Sequence, residues 1–341
     1  MFKTKNAILF SLLTAALLLA FVLNLSLGQV QIPLKEVLKS VTGNTASKDT
    51  WEYIILNFRL PKAITAVIVG IGLSISGLLM QTFFRNPLAG PYVLGLSSGS
   101  SLGVAFVILG AGCLPAFLGD VLRSPYGIIT ASCLGSFLVL LLVLMVSQRL
   151  RDTATILIVG LMFSSFTSAM VSVLTYFSTA EQLQKYTFWS MGSLGNLSWA
   201  NVLILAIALL IGLVLSIFSI KALNTLLLGE NYAKSMGLNL QKSRYLIIFA
   251  TSILAGSITA FAGPIAFIGL AVPHLAKLLF QTSNHSLLFW ATLLIGALLM
   301  LCCDTISQMP GMDFTLPINA ITSILGAPIV IWLLVRKRSL I

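Results

Sequence analysis

Apolar residues run through this 341-residue chain in long blocks, broken by short polar or Gly- and Pro-containing turns. A helix crossing a bilayer needs about 20 mainly apolar residues at about 1.5 Å rise each. Ten stretches fit, near 7–27, 62–84, 94–116, 126–147, 155–177, 199–219, 245–262, 264–281, 287–307 and 316–335. The seventh and eighth are short and separated only by Gly263-Pro264. Inside lipid every backbone N–H and C=O needs an internal partner, so these stretches predict a helical bundle. The expected fold is an all-α polytopic membrane protein, with one transmembrane domain over 1–341. Lys3 and Lys5 precede the first stretch, as in a cleaved leader. The run from Ala7 to Leu23 nevertheless exceeds the usual apolar core of about 7–15 residues, and no A-x-A site follows. A retained helix is expected.

Composition removes the competing classes. Apolar residues make up 58% and charged residues 9%, against about 25% charged in a soluble domain. The net charge of +11 suggests nucleic acid only on a soluble protein, and too little polar surface exists here for one. Cys113, Cys133, Cys302 and Cys303 lie in apolar runs, not at disulfide-framework spacings.

Placing both termini in the cytoplasm sorts the charge. The inner side then holds Lys3, Lys5, Arg85, Arg149, Arg151, Lys221, Lys234, Lys242, Arg244, Lys277, Arg336, Lys337 and Arg338, against Asp152 and Glu230. On the outer side Lys35, Lys39, Lys48, Arg59, Lys62, Arg123 and Lys185 are balanced by Glu36, Asp49, Glu52, Asp120, Glu181, Asp304 and Asp313. The whole excess of +11 lies inside, the asymmetry that sets orientation.

Candidate chemistry is sparse. No G-x-x-x-x-G-K-[ST] occurs, so the chain has no phosphate-cradling loop of its own. His274 and His285 stand apart from any Cys pair, so no metal cluster and no catalytic residue is expected. Gly95-Leu96-Ser97-Ser98-Gly99 matches the G-x-S-x-G nucleophile pattern. Ser100, Ser101 and Gly103 continue it as a small-residue face, which reads as close helix packing. Ion-coupled transport needs ionisable groups near the midplane, and only Asp304, His274 and Lys277 come near that description.

Two features are unusual for a plain bundle. Arg59-Leu60-Pro61-Lys62 puts two cations at the outer mouth of the second span, either snorkelling or docking an acidic partner. Between Lys221 and Arg244, the residues from Leu226 to Leu238 form a short amphipathic helix ending at a Gly cap. Such a segment lies on lipid headgroups or meets a cytoplasmic partner.

These residues together resemble the FecCD-type permeases, membrane subunits of ABC importers for iron–siderophore complexes, haem and cobalamin. The similarity runs from Arg59-Leu60-Pro61-Lys62 through Gly70-Ile71-Gly72 and Ser76-Gly77 to Gln81 and Arg85-Asn86-Pro87-Leu88-Ala89-Gly90-Pro91. It continues with Trp189-Ser190-Met191-Gly192, Gly229-Glu230, Met236-Gly237, Gly263-Pro264-Ile265-Ala266-Phe267-Ile268-Gly269, Pro273-His274, Asp304 and Gly326-Ala327-Pro328. The resemblance implies ten spans, a homodimer or a close heterodimer, two cytoplasmic ATPases that use the ATP, and an extracytoplasmic binding protein. It implies a multi-pass protein of the bacterial cytoplasmic membrane, with no cofactor on this chain and no nucleic-acid partner. By the same resemblance Gly229, Glu230, Ala233, Met236 and Gly237 dock the ATPase. Arg59 and Lys62 receive the binding protein; Asn86, Leu88 and Thr153 form the inner gate. Four positions depart from the family pattern: Lys62 replaces an arginine, Gln308 stands where many members carry one, and Thr315 and Asn319 replace Glu and Gly. The expected function is inward transport of an iron chelate, with haem or cobalamin as the alternative cargo. An ion-coupled carrier and a hydrolase using Ser97 are the rival classes.

Overall fold

The computed structural model describes residues 2–43, 47–110, 124–149, 153–195, 197–309 and 314–337. Every regular element among them is helical. In chain order these are α1 (Phe2–Ser26), α2 (Leu34–Val41), α3 (Asp49–Ile54), α4 (Leu60–Phe83), α5 (Leu96–Ile108), α6 (Pro125–Arg149) and α7 (Thr153–Tyr176). Then come α8 (Ala180–Ser190), α9 (Trp199–Leu226), α10 (Glu230–Ser235), α11 (Leu240–Ala262), α12 (Ile268–Phe280), α13 (His285–Ser307) and α14 (Ile318–Lys337). A π-helical turn, Ile55–Arg59, joins α3 to α4 in one continuous helical run.

Seven of these segments are long and apolar enough to cross a membrane, those containing α1, α4, α6, α7, α9, α11 and α13. Three shorter apolar helices, α5, α12 and the Ile318–Trp332 part of α14, occupy the remaining expected stretches. The difference has local causes. Helix α12 has 13 residues because the Gly263–Phe267 link takes an irregular path, with φ of +75° at Gly263 and +66° at Phe267. At about 1.5 Å per residue it reaches about 20 Å, short of a hydrocarbon core of about 30 Å. Conversely α9 continues to Leu226, seven residues beyond the expected 219, because Ala222, Leu223 and Leu226 remain buried.

The chain divides into two compact units, Met1–Ile75 with Ser193–Ile207 and Ile265–Ile341, and Ser76–Gly192 with Ala208–Pro264. In the first, α13 packs against α1, α12 and α14. Backbones touch there: a Cβ at Gly70 would lie 2.3 Å from the Gly296 carbonyl oxygen, and one at Gly296 would lie 2.3 Å from Ser74 Oγ. In the second unit α5 is the centre, packed on α6, α7 and α11. A Cβ at Gly99 would lie 2.6 Å from the Gly135 oxygen, and one at Gly103 would lie 2.1 Å from the Ala131 oxygen. Gly99 of the G-x-S-x-G stretch and Gly103 after it therefore seat a helix crossing, the way helices associate where lipid supplies no hydrophobic drive.

Candidate coupling and gating site

All five expected coupling residues lie in one short structure after α9. Gly229, at φ +117°, turns the chain into α10, and its N–H donates to the Leu226 carbonyl at 3.1 Å. Helix α10 ends in a Schellman motif: the Leu238 N–H donates to Ala233 O at 3.0 Å and the Gly237 N–H to Lys234 O at 3.0 Å. Gly237 sits at φ +84°, which only a residue without Cβ adopts freely. Asn239 then caps α11 by accepting from the Lys242 N–H at 2.9 Å. Ala233 is fully buried and seats α10 on its own unit, whereas Leu228, Tyr232 and Met236 all stay exposed. Met236 thus belongs to the outward surface and not to the seat. Leu228, Gly229, Glu230, Asn231, Tyr232 and Ser235 line an open concavity of about 720 Å³ together with Arg85.

Arg85 brings in the second expected group. It follows α4 with a left-handed backbone, φ +47°. Its guanidinium Nη2 donates to Leu226 O at 2.9 Å. The next residue, Asn86, donates its N–H to Gln81 O at 3.1 Å, while its side-chain oxygen accepts from the Leu88 N–H at 2.9 Å. This Asx turn leaves the Leu88 side chain exposed. Thr153 begins α7, but its side chain lies outside the described residues.

The two outer cations are occupied differently from the expected open patch. Arg59 is 8% exposed; its guanidinium donates to Leu25 O at 2.7 Å, to Ser26 O at 2.8 Å and to Val30 O. These carbonyls lie at the C-terminal end of α1 and in the turn after it, groups that need partners when buried. Lys62 Nζ lies 3.1 Å from Asp304 Oδ1. Asp304 Oδ2 also accepts from Asn24 Nδ2 at 2.9 Å and Gln308 Nε2 at 2.8 Å. Gln308 adds a neutral donor to a carboxylate that already has its cation. Sequence reasoning missed Asn24, although a single Asn in an otherwise apolar span is itself a signal for a buried partner.

Beyond these groups, α2 carries Glu36, whose carboxylate accepts from the Ser47 N–H at 2.7 Å and pairs with Lys39 at 2.9 Å. The Ser47 amide first, and Lys39 second, pull its pKa down to about 2.

The comparisons cover nearly the whole chain. A model of the FecCD transport family matches residues 16–336. The hemin transport system permease protein HmuU of Yersinia pestis is 34% identical over 322 residues, 94% of this chain and 95% of its own length. The vitamin B12 import system permease protein BtuC of Klebsiella pneumoniae is 36% identical, over 96% of this chain and 93% of that one. The molybdate import system permease protein MolB of Haemophilus influenzae is 33% identical, over 93% and 92%. A solved metal-chelate type ABC transporter in an inward-facing conformation superposes with a TM-score of 0.84 at 31% identity, over 96% of this chain and 99% of that one. The chain belongs to the FecCD transport family: it is the membrane permease of an ABC importer, not itself an enzyme, and its ATPase partner is what uses ATP.

Proposed function

We propose that this permease works as a homodimer in the bacterial cytoplasmic membrane, with both termini inside, and carries an iron chelate of the siderophore class inward. Two cytoplasmic ATPases drive alternating access, and an extracytoplasmic binding protein delivers the cargo. Haem and cobalamin are the alternative cargoes, and the relatives named for hemin and vitamin B12 support that breadth. The observation that carries the reading is α10, seated by buried Ala233, bracketed by Gly229 and Gly237, with Tyr232 and Met236 exposed beside the concavity. An exposed apolar rim around a polar hollow suits a protein-docking surface, and the K/R excess of that side supports a cytoplasmic position.

Asn86, Leu88 and Thr153 are the inner gate in this reading. Arg59 fixes the outer turn, and Lys62, whose side chain is partly exposed, is the cation for an acidic group on the binding protein. The test is ATP-driven uptake in proteoliposomes holding the permease, its ATPase and its binding protein. Ferric siderophore, hemin, cobalamin and molybdate are offered in turn, and preference for the ferric siderophore is expected. Glu230→Arg and Gly237→Trp are expected to abolish uptake while the permease still inserts. Full transport by either variant overturns the coupling assignment, and preference for molybdate overturns the cargo class.

A further inference from the structure

We propose that Arg85 is a positioning residue that joins the coupling helix to the inner gate turn; the inference rests on the coupling reading of α10 given above. The Leu226 carbonyl is the node. It accepts from the Gly229 N–H at 3.1 Å, which sets the turn into α10, and from Arg85 Nη2 at 2.9 Å. A Cβ placed on Gly229 would lie 3.7 Å from that same Nη2, so turn and guanidinium are neighbours. One side chain therefore holds the end of α9 and the entrance to α10 together.

The other end of Arg85 is its own backbone. At φ +47° it holds a conformation that bulky residues adopt only where the surroundings impose it. Its N–H donates to Thr82 O at 3.2 Å, and the following amide, of Asn86, donates to Gln81 O at 3.1 Å. Asn86 in turn holds the Leu88 N–H at 2.9 Å. An unbroken series of bonds thus runs from Gly229 through Leu226, Arg85 and Asn86 to Leu88, all inside one compact unit.

This arrangement assigns the guanidinium a task that a point charge does less well. Leu226 is among the last residues of α9, whose final carbonyls have no partner within the helix. Arginine reaches this carbonyl with a planar, multi-donor head, whereas lysine offers a compact and strongly hydrated ammonium. A displacement of α10 moves the Leu226 carbonyl and Arg85 together, and the peptide units after Arg85 carry that movement to Leu88. Coupling between sites travels through such contiguous bonded networks.

Arg85→Asn tests the link, because asparagine tolerates the left-handed backbone while the guanidinium is removed. The complete transporter is reconstituted with its ATPase and binding protein, and a spin label is placed at Leu88→Cys. Because Arg85 also lines the docking hollow, the readouts are taken on isolated complexes that hold the ATPase and are normalised to the ATP they hydrolyse. In Arg85→Asn cargo moved per ATP falls by about 2- to 30-fold, and the label at 88 no longer responds to nucleotide. Arg85→Lys, which restores one donor, lies between the two. Unchanged cargo per ATP, or a label that still responds, overturns the link. An Arg85→Asn permease that cannot be isolated with its ATPase overturns it too, because the side chain then serves docking alone. If Arg85→Asn does not insert, the label response in Arg85→Lys decides by the same criterion. Full transport by Glu230→Arg is a separate result that removes the coupling assignment itself, whatever Arg85 does.

Discussion

Replacing Asp304 by asparagine asks whether the outer cluster is an ion pair in energetic terms or only a set of hydrogen bonds. Asp304 is 1% exposed, and its two oxygens face donors only: Lys62 at Oδ1 and both Asn24 and Gln308 at Oδ2. Asparagine keeps the volume but offers one oxygen and one NH₂. If its oxygen faces Asn24 and Gln308, its NH₂ meets the Lys62 ammonium; if it is flipped, the NH₂ meets two amide donors. Neither orientation satisfies the cluster. Removing one partner of a buried pair costs about 3–5 kcal/mol. The Lys62 side chain keeps 19% exposure, so its ammonium recovers some water and the expected loss is near the lower bound, about 3 kcal/mol.

The assay is unfolding in mixed micelles titrated with sodium dodecyl sulfate and followed by tryptophan fluorescence. Lys62→Met, Asp304→Asn and the double variant close a thermodynamic cycle. A coupling energy of about 1–3 kcal/mol is expected, with the double variant more stable than the sum of the singles predicts. Single effects that add to within about 0.5 kcal/mol refute the reasoning, as does an Asp304→Asn loss below about 1 kcal/mol.

Two further outcomes follow from the packing and the charges. Gly70→Ala drives a methyl to 2.3 Å from a backbone oxygen that has no rotamer to change, so the overpacking cost reaches or exceeds the usual range of about 1–3 kcal/mol. Loss of the folded monodisperse fraction on size-exclusion chromatography is the check, and an undiminished yield contradicts it. Glu36 has a folded pKa lowered to about 2 from 4.5, so its contribution is present above the unfolded value and is lost as pH falls from there through about 2. Amide exchange at Ser47 is expected to stay protected at pH 5 and to accelerate as Glu36 protonates. Glu36→Gln is expected to abolish that dependence.

Much of the architecture was legible because lipid leaves little choice. An apolar run of about 20 residues has to become a helix, and each of the ten expected stretches holds one. The extramembrane helices were harder to read, although signals exist. Thr179 and Gln182 form a capping box at the start of α8, a T-x-x-Q pattern visible in the sequence. Leu34, Leu38 and Val41 carry helical spacing through α2. The short helix α10 was legible because glycines at positive φ leave fixed marks, Gly229 and Gly237 on either side of it. The occupation of Arg59 and Lys62 was not. Their partners lie far along the chain, and the Asn24–Asp304 bond alone joins residues 280 positions apart. Local sequence shows a cation at the end of a span in both Arg59 and Arg85, whereas the fold turns one toward α1 and the other toward α9.

That difference changes what the balanced outer charge means. A zero sum of scattered charges and a zero sum of close pairs are electrostatically distinct, because the field of a pair decays within a few ångströms and salt screens the remainder. Here Lys39 pairs with Glu36, Lys185 with Glu181 and Lys62 with Asp304, while Lys48 lies 4.7 Å from the Trp51 ring centre. The exposed Glu181–Lys185 pair adds little to stability, as solvated ion pairs do, but it removes two charges from any long-range field. Three of the seven cations expected outside are thus neutralised by a close carboxylate. In the orientation proposed above the inner face is the opposite case: its cations far outnumber its anions, so charge is available there to steer an ATPase.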